Sequence, residues 1–133
     1  LTGKTSLLDL GAGPGQHSLF FQERGLEMVS IDLSFEMCRL NREKGIAVAQ
    51  MNLCQFGLKP DAFGAVWSLN CLLHLPKNEM PGVLENIRDI LVPEGIFFWD
   101  FTAGKILKAF GQMILINPGV FFHSSPIRKF RYL

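Results

Sequence analysis

Three glycines at alternate positions, Gly11, Gly13 and Gly15, follow the short apolar run Leu7 to Leu10 and precede a helical pattern over His17 to Arg24. Such a run is the signature of a parallel strand covered on both faces. Glycine lets the backbone take positive φ and lets a ligand come close without meeting a Cβ. A helix start adds free N–H groups and a partial positive charge, suited to a carboxylate or a phosphate. Strand, turn and helix together make an entrance for a nucleotide-like ligand; a tight turn with no ligand is the plainer alternative. One strand further on, Glu27 to Asp32 ends in an acid about twenty residues after the glycines, where a nucleotide fold needs a carboxylate for two ribose hydroxyls. Ser34 can cap the next helix by itself, which leaves Asp32 for the ribose.

The spacing then selects among nucleotides. A dinucleotide turn needs Gly-x-Gly-x-x-Gly, whereas the third glycine here comes one residue early, with Gln16 after it. Asp9 lies inside the first strand, where its carboxylate repels a diphosphate but suits an ammonium and a sulfonium. Asp9-Leu10-Gly11-Ala12-Gly13-Pro14-Gly15 resembles the first motif of the class I S-adenosylmethionine-dependent methyltransferases. The resemblance continues through Ile31-Asp32-Leu33-Ser34 with Met37, through Phe63 to Asn70, and through Leu84 to Phe98, covering roughly residues 5–98. Three departures stand out. The Leu-x-Pro-Gly-Gly turn reads Leu91-Val92-Pro93-Glu94-Gly95, Gly64 replaces the acid that usually opens strand 4, and Asn52 replaces the acid near the adenine.

The resemblance implies a Rossmann-like α/β fold, a parallel sheet of order 3-2-1-4-5 with helices on both faces, and S-adenosylmethionine as cofactor. It implies that Gly11, Ala12, Gly13 and Gly15 admit the amino-acid and sugar portion, and that Asp9 acts on the ammonium side. Asp32 takes the ribose hydroxyls, with Leu33 and Met37 beside it. Asn52, through its side-chain carbonyl, and Leu53 lie by the adenine; Ser68, Leu69 and Asn70 line the methionine end. The implied reaction is in-line attack of an acceptor on the sulfonium methyl, for which the protein mainly supplies orientation and exclusion of water. No acid–base pair stands out, and the acceptor cannot be read.

The elements that must position these residues follow from periodicity: strands Leu7–Leu10, Met28–Asp32, Ala47–Met51, Ala65–Leu69 and Ile96–Phe101, and helices His17–Arg24, Phe35–Lys44 and Met80–Leu91. Gly25 and Gly45 each follow a helical stretch as C-cap residues. At 133 residues and 48% apolar content the chain fits one α/β domain with one core. Cys38, Cys54 and Cys71 lack metal or disulfide spacing, and His17, His74 and His123 are too scattered for a metal triad. Cys71 reads as packing. His17 either touches a ligand carboxylate or is solvated; His74 either faces an acceptor or belongs to the turn before Pro76. The segment Ile106 to Phe122 is interrupted by Lys108, Gly111, Pro118 and Gly119, so it fails as a membrane span, and a cytoplasmic setting is expected. The five cations of the tail have no motif or periodic face, so nucleic acid is not indicated.

Charge and resemblance both break near Phe98. Residues 1–98 carry a net charge of −3, the remainder +4. The antiparallel hairpin that closes the family's sheet has no clear counterpart, so strand 5 is expected to be left as an exposed apolar edge. The expected organisation is a cofactor-binding domain over residues 1–101, cut at its N-terminus, and an atypical tail over 102–133. Two rival readings remain: a cofactor-binding remnant that methylates nothing, and a nicotinamide-dependent oxidoreductase, which the glycine spacing and Asp9 oppose. The tail is expected to be translated out of frame, because permitted codons from Phe98 to Ile116 also encode, one frame over, a Gly-Gly turn and an acidic stretch. Resequencing the coding DNA across the Phe98 codon should reveal the frame break; an intact frame with no acidic stretch encoded beside it contradicts the expectation.

Overall fold

A computed structural model of the chain describes residues 6–55, 57–69, 71–72, 75–100, 113–115, 121–122 and 130–131. The elements in chain order are β1 (Ser6–Leu10), α1 (Gln16–Gln22), β2 (Glu27–Asp32), α2 (Phe35–Glu43), β3 (Ala47–Gln50), β4 (Phe63–Leu69), α3 (Met80–Ile90), β5 (Leu91–Asp100), β6 (Met113–Leu115), β7 (Phe121–Phe122) and β8 (Phe130–Arg131). They build one sheet of order β3-β2-β1-β4-β5-β6-β7-β8. The first five strands are parallel, so the expected 3-2-1-4-5 core stands, and β1 lies between β2 and β4.

Successive residues of β1 point to opposite faces, which explains its unbroken burial. Leu8 and Leu10 join Ile31, Val66 and Phe97 on the face covered by α3. Val83, Ile87 and Ile90 recur at helical spacing on α3 and close that core. Leu7 faces the other way, packing with Met28 and Ile46 and with Phe21 of α1. A sheet covered on both sides lets the carboxyl ends of β1, β2 and β4 meet at one rim, the usual ligand site of such folds.

Two expectations at the far edge need correction. β5 starts at Leu91 rather than Ile96, because the Val92–Gly95 turn is absorbed as a bulge: Phe63 pairs with Leu91 while Ala65 pairs with Ile96. Only glycine fits at position 95, where a Cβ would lie 2.8 Å from the Val92 carbonyl. Nor is β5 left as a bare edge, since β6 pairs with it antiparallel at Ile96, Phe97 and Phe98, and β7 and β8 continue the sheet. A run of unpaired backbone groups along β5 accepts any short β-competent segment. Strands of two or three residues show no alternation by which a sequence could announce them.

Candidate functional site

The glycine turn is tied to the end of β2 before any side chain is considered. Gly11 N–H and Ala12 N–H both donate to the Ile31 carbonyl, at 2.9 and 3.1 Å. Gly11, Gly13 and Gly15 all have positive φ, +65°, +58° and +90°. Their surroundings differ. A Cβ at Gly11 would sit 2.6 Å from Cys71 Sγ, and one at Gly15 2.5 Å from Asn41 Oδ1. A Cβ at Gly13 would meet nothing within 4 Å. Gly11 and Gly15 are therefore glycines because protein packs on them, whereas Gly13 presents an open side.

Asp32 stands at that opening. Its Oδ2 accepts from Gly13 N–H at 2.9 Å and its Oδ1 from Ser34 N–H at 2.9 Å. Ser34 caps α2 as expected, its hydroxyl accepting from Met37 N–H at 3.3 Å. Each carboxylate oxygen keeps a further lone pair for a ligand hydroxyl. Beside it Leu33 is 66% exposed and Met37 is half-buried, so an apolar surface flanks the acid. β3 is tied to the same corner: Gln50 Nε2 donates to the Leu33 carbonyl and Met51 N–H to the Asp32 carbonyl, at 2.9 and 3.1 Å.

Asn52 and the half-buried Leu53 follow directly. The side-chain carbonyl of Asn52 accepts from Cys54 N–H at 2.9 Å, so an adenine partner would share that oxygen or meet the NH2 group. Ser68, paired in register with Leu10, closes the rim from β4. Its hydroxyl is buried beside the Cys71 sulfur; burial pushes the Cys71 thiol up to about 12, against a hydrogen bond with Ser68 that favours the thiolate. Cys71 is thus a packed, protonated residue, as read from sequence. The backbone of Leu69 ends β4 opposite Asp100, while Asn70 and His74 lie outside the described residues.

Asp9 sits beneath the turn, 2% exposed, accepting from Ser18 Oγ of α1 at 2.7 Å; Ser18 in turn meets Ser30 Oγ of β2 at 2.7 Å. Burial raises its pKa from 3.8 to about 7, against the Ser18 hydrogen bond and with help from the Asp32 charge. The unfolded chain ionises near the lower value, so stability from the protonated carboxyl is full below it and is lost as pH rises towards 7. Asp9→Asn should therefore flatten the fall in stability between about pH 4 and pH 7, read by urea denaturation across that range. An unchanged slope would show that Asp9 stays ionised throughout. His17 acts in the opposite sense: burial lowers its pKa, and Trp67 Nε1 donates to its Nδ1 at 3.3 Å. That bond holds the imidazole neutral against β4, not as a cation for a ligand carboxylate.

Sequence reading missed two residues of the site, Asn41 and Lys44, whose side chains reach the carbonyls of Gly13 and Pro14 at 2.8 Å each. The available signal was an asparagine three residues after Cys38, on the inward stripe of α2.

The model of the methyltransferase domain family matches residues 7–95. The chain belongs to that family. YqeM of Bacillus subtilis, which carries a methyltransferase name, is 32% identical over 120 residues, 83% of this chain and 48% of YqeM. Among solved structures, an S-adenosylmethionine-dependent methyltransferase from Mesorhizobium loti is 25% identical with a TM-score of 0.65, covering 72% of this chain and 45% of that one. The PH0226 protein of Pyrococcus horikoshii is 26% identical with a TM-score of 0.66, over 69% of this chain and 46% of the other. The chain thus spans about half the length of the proteins it matches. Among the described residues no group of His, Cys, Asp or Glu could hold a metal, and no helix is long and apolar enough to cross a membrane.

Proposed function

We propose that this methyltransferase domain binds S-adenosylmethionine across the carboxyl ends of β1, β2 and β4 and serves methyl transfer to an acceptor. The observation that carries the reading is the open side of Gly13 beside the Asp32 carboxylate, in a turn whose other glycines are filled by protein. The residues fit the group. Asp32 offers lone pairs to the ribose hydroxyls, and Leu33 and Met37 offer apolar surface at its side. Asn52 and Leu53 border the adenine, and the buried Ser68 hydroxyl at the end of β4 borders the methionine end; Leu69 and Asn70, expected there from the sequence, lie next in the chain.

The Asp32 carboxylate makes the rim negative, which suits an ammonium and a sulfonium and opposes the diphosphate of a nicotinamide dinucleotide; Asp9, buried beneath the turn with its pKa raised to about 7, is set back from the rim. When bound, the cofactor supplies an activated methyl group. The chain holds and orients it, keeps water from the reacting carbon, and needs no dedicated acid or base. Three free thiols, Cys38, Cys54 and Cys71, fit a reducing, cytoplasmic setting.

Isothermal titration of the folded chain with S-adenosylmethionine and S-adenosylhomocysteine tests the reading. Saturable heat is expected with both. No heat with either, up to millimolar ligand, rejects it; heat without methyl transfer to any acceptor favours a binding remnant.

A further inference from the structure

Gly13 is held from both sides. Its N–H donates to Asp32 Oδ2 at 2.9 Å, and its carbonyl accepts from Asn41 Nδ2 at 2.8 Å. One residue on, the Pro14 carbonyl accepts from Lys44 Nζ at 2.8 Å. Asn41 is 0% exposed, and its Nδ2 also donates to the Met37 carbonyl one helical turn back, at 2.8 Å. Its Oδ1, however, is buried without a hydrogen-bond partner. An unpaired buried acceptor is costly, and a small apolar residue at this place would avoid that cost. The bond to Met37 alone therefore does not account for Asn41. The turn does: Asn41 fills the space beneath Gly15, where a Cβ would lie 2.5 Å from Oδ1, and draws the Gly13 carbonyl towards α2.

We propose that Asn41 is a positioning residue of the cofactor site, with Lys44 as its outer support. By keeping the Gly13 and Pro14 carbonyls on the α2 side, the pair fixes the Gly13 peptide at φ +58° with its open side free. Asn41 touches no ligand and acts through the turn. The inference rests on the cofactor reading above, but the geometry of the turn can be followed without any ligand.

The test uses the full chain with Asn41→Ala, Asn41→Ser and Lys44→Met. Three quantities are read: affinity for S-adenosylhomocysteine, melting temperature, and hydrogen exchange at Gly13 and Gly15. Asn41→Ala loses two hydrogen bonds together with the unpaired Oδ1, so its melting temperature should fall only a little, yet it should bind about tenfold more weakly, with Gly13 exchange faster by a similar factor. Asn41→Ser can keep the Met37 carbonyl but cannot reach Gly13, and should behave like the alanine variant. Lys44→Met, which removes a solvent-exposed hydrogen bond, should weaken binding about threefold with unchanged melting. Unchanged exchange and affinity in Asn41→Ala overturn the proposal, and so does a large fall in melting temperature, which marks Asn41 as a structural residue. Should the wild type bind no cofactor, the cofactor reading fails by itself, and Gly13 exchange alone decides whether Asn41 positions the turn.

Discussion

Alanine at Gly15 and alanine at Gly13 are expected to fail in different ways. At Gly15 the backbone has φ +90°, and the new Cβ would lie 2.5 Å from Asn41 Oδ1 and 2.9 Å from its Cγ. Backbone strain and overpacking add at a buried position, so Gly15→Ala should lose about 3 kcal/mol or more of stability. Combining it with Asn41→Ala should return the steric share and leave the φ strain, a coupling that a double-mutant cycle measures. At Gly13 a Cβ meets nothing within 4 Å. Gly13→Ala should therefore cost only about 1–2 kcal/mol, the price of the left-handed conformation. Its methyl group would stand on the side where the cofactor is proposed to approach, and affinity should fall about 100-fold. Urea denaturation and titration calorimetry on the two variants separate the effects. Wild-type affinity in Gly13→Ala would place the ligand elsewhere.

The second large effect belongs to Asp32. Its two oxygens join the glycine turn and the start of α2 through Gly13 N–H and Ser34 N–H, and both hydrogen bonds involve a carboxylate. Bonds of this kind contribute about 1.5–3 kcal/mol each when the partner is left unpaired, less where water replaces it. Asp32→Ala should cost about 2 kcal/mol in stability, because the site is partly solvated. Affinity should drop more, by about 100-fold or beyond, since the variant loses both the proposed ribose partner and the fixed turn. Asp32→Asn keeps one acceptor oxygen and should fall between. Full affinity in Asp32→Ala would remove the residue from the site.

Much of this arrangement was legible because it is local. Leu7 to Leu10 reads as a strand covered on both faces, and in the fold it is buried throughout. Gly25 and Gly45 close their helices as expected: Leu26 N–H reaches the Phe21 carbonyl and Ile46 N–H the Asn41 carbonyl, at 3.2 and 3.0 Å. The position of Asp32 at the end of β2 follows from the same reading. What stayed hidden is non-local. Asn41 and Gly13 are 28 residues apart, and no periodicity links a helix side chain to a carbonyl in a distant turn. The early start of β5 was masked by Pro93 and Gly95, which signal a turn whether the turn leaves the sheet or bulges within it. The committed oxygen of Asn52 was hidden by a third cause: an asparagine that bonds two residues ahead has the same sequence as one that waits for a ligand.

The most direct measurement is a titration of the chain, labelled with nitrogen-15 at glycine, with S-adenosylhomocysteine, followed through the amide signals. Gly11, Gly13 and Gly15 should move together and saturate, Gly13 most, while Gly25, Gly45 and Gly82 stay in place. Saturation with the largest shifts away from the turn, or no shift at millimolar ligand, contradicts the account.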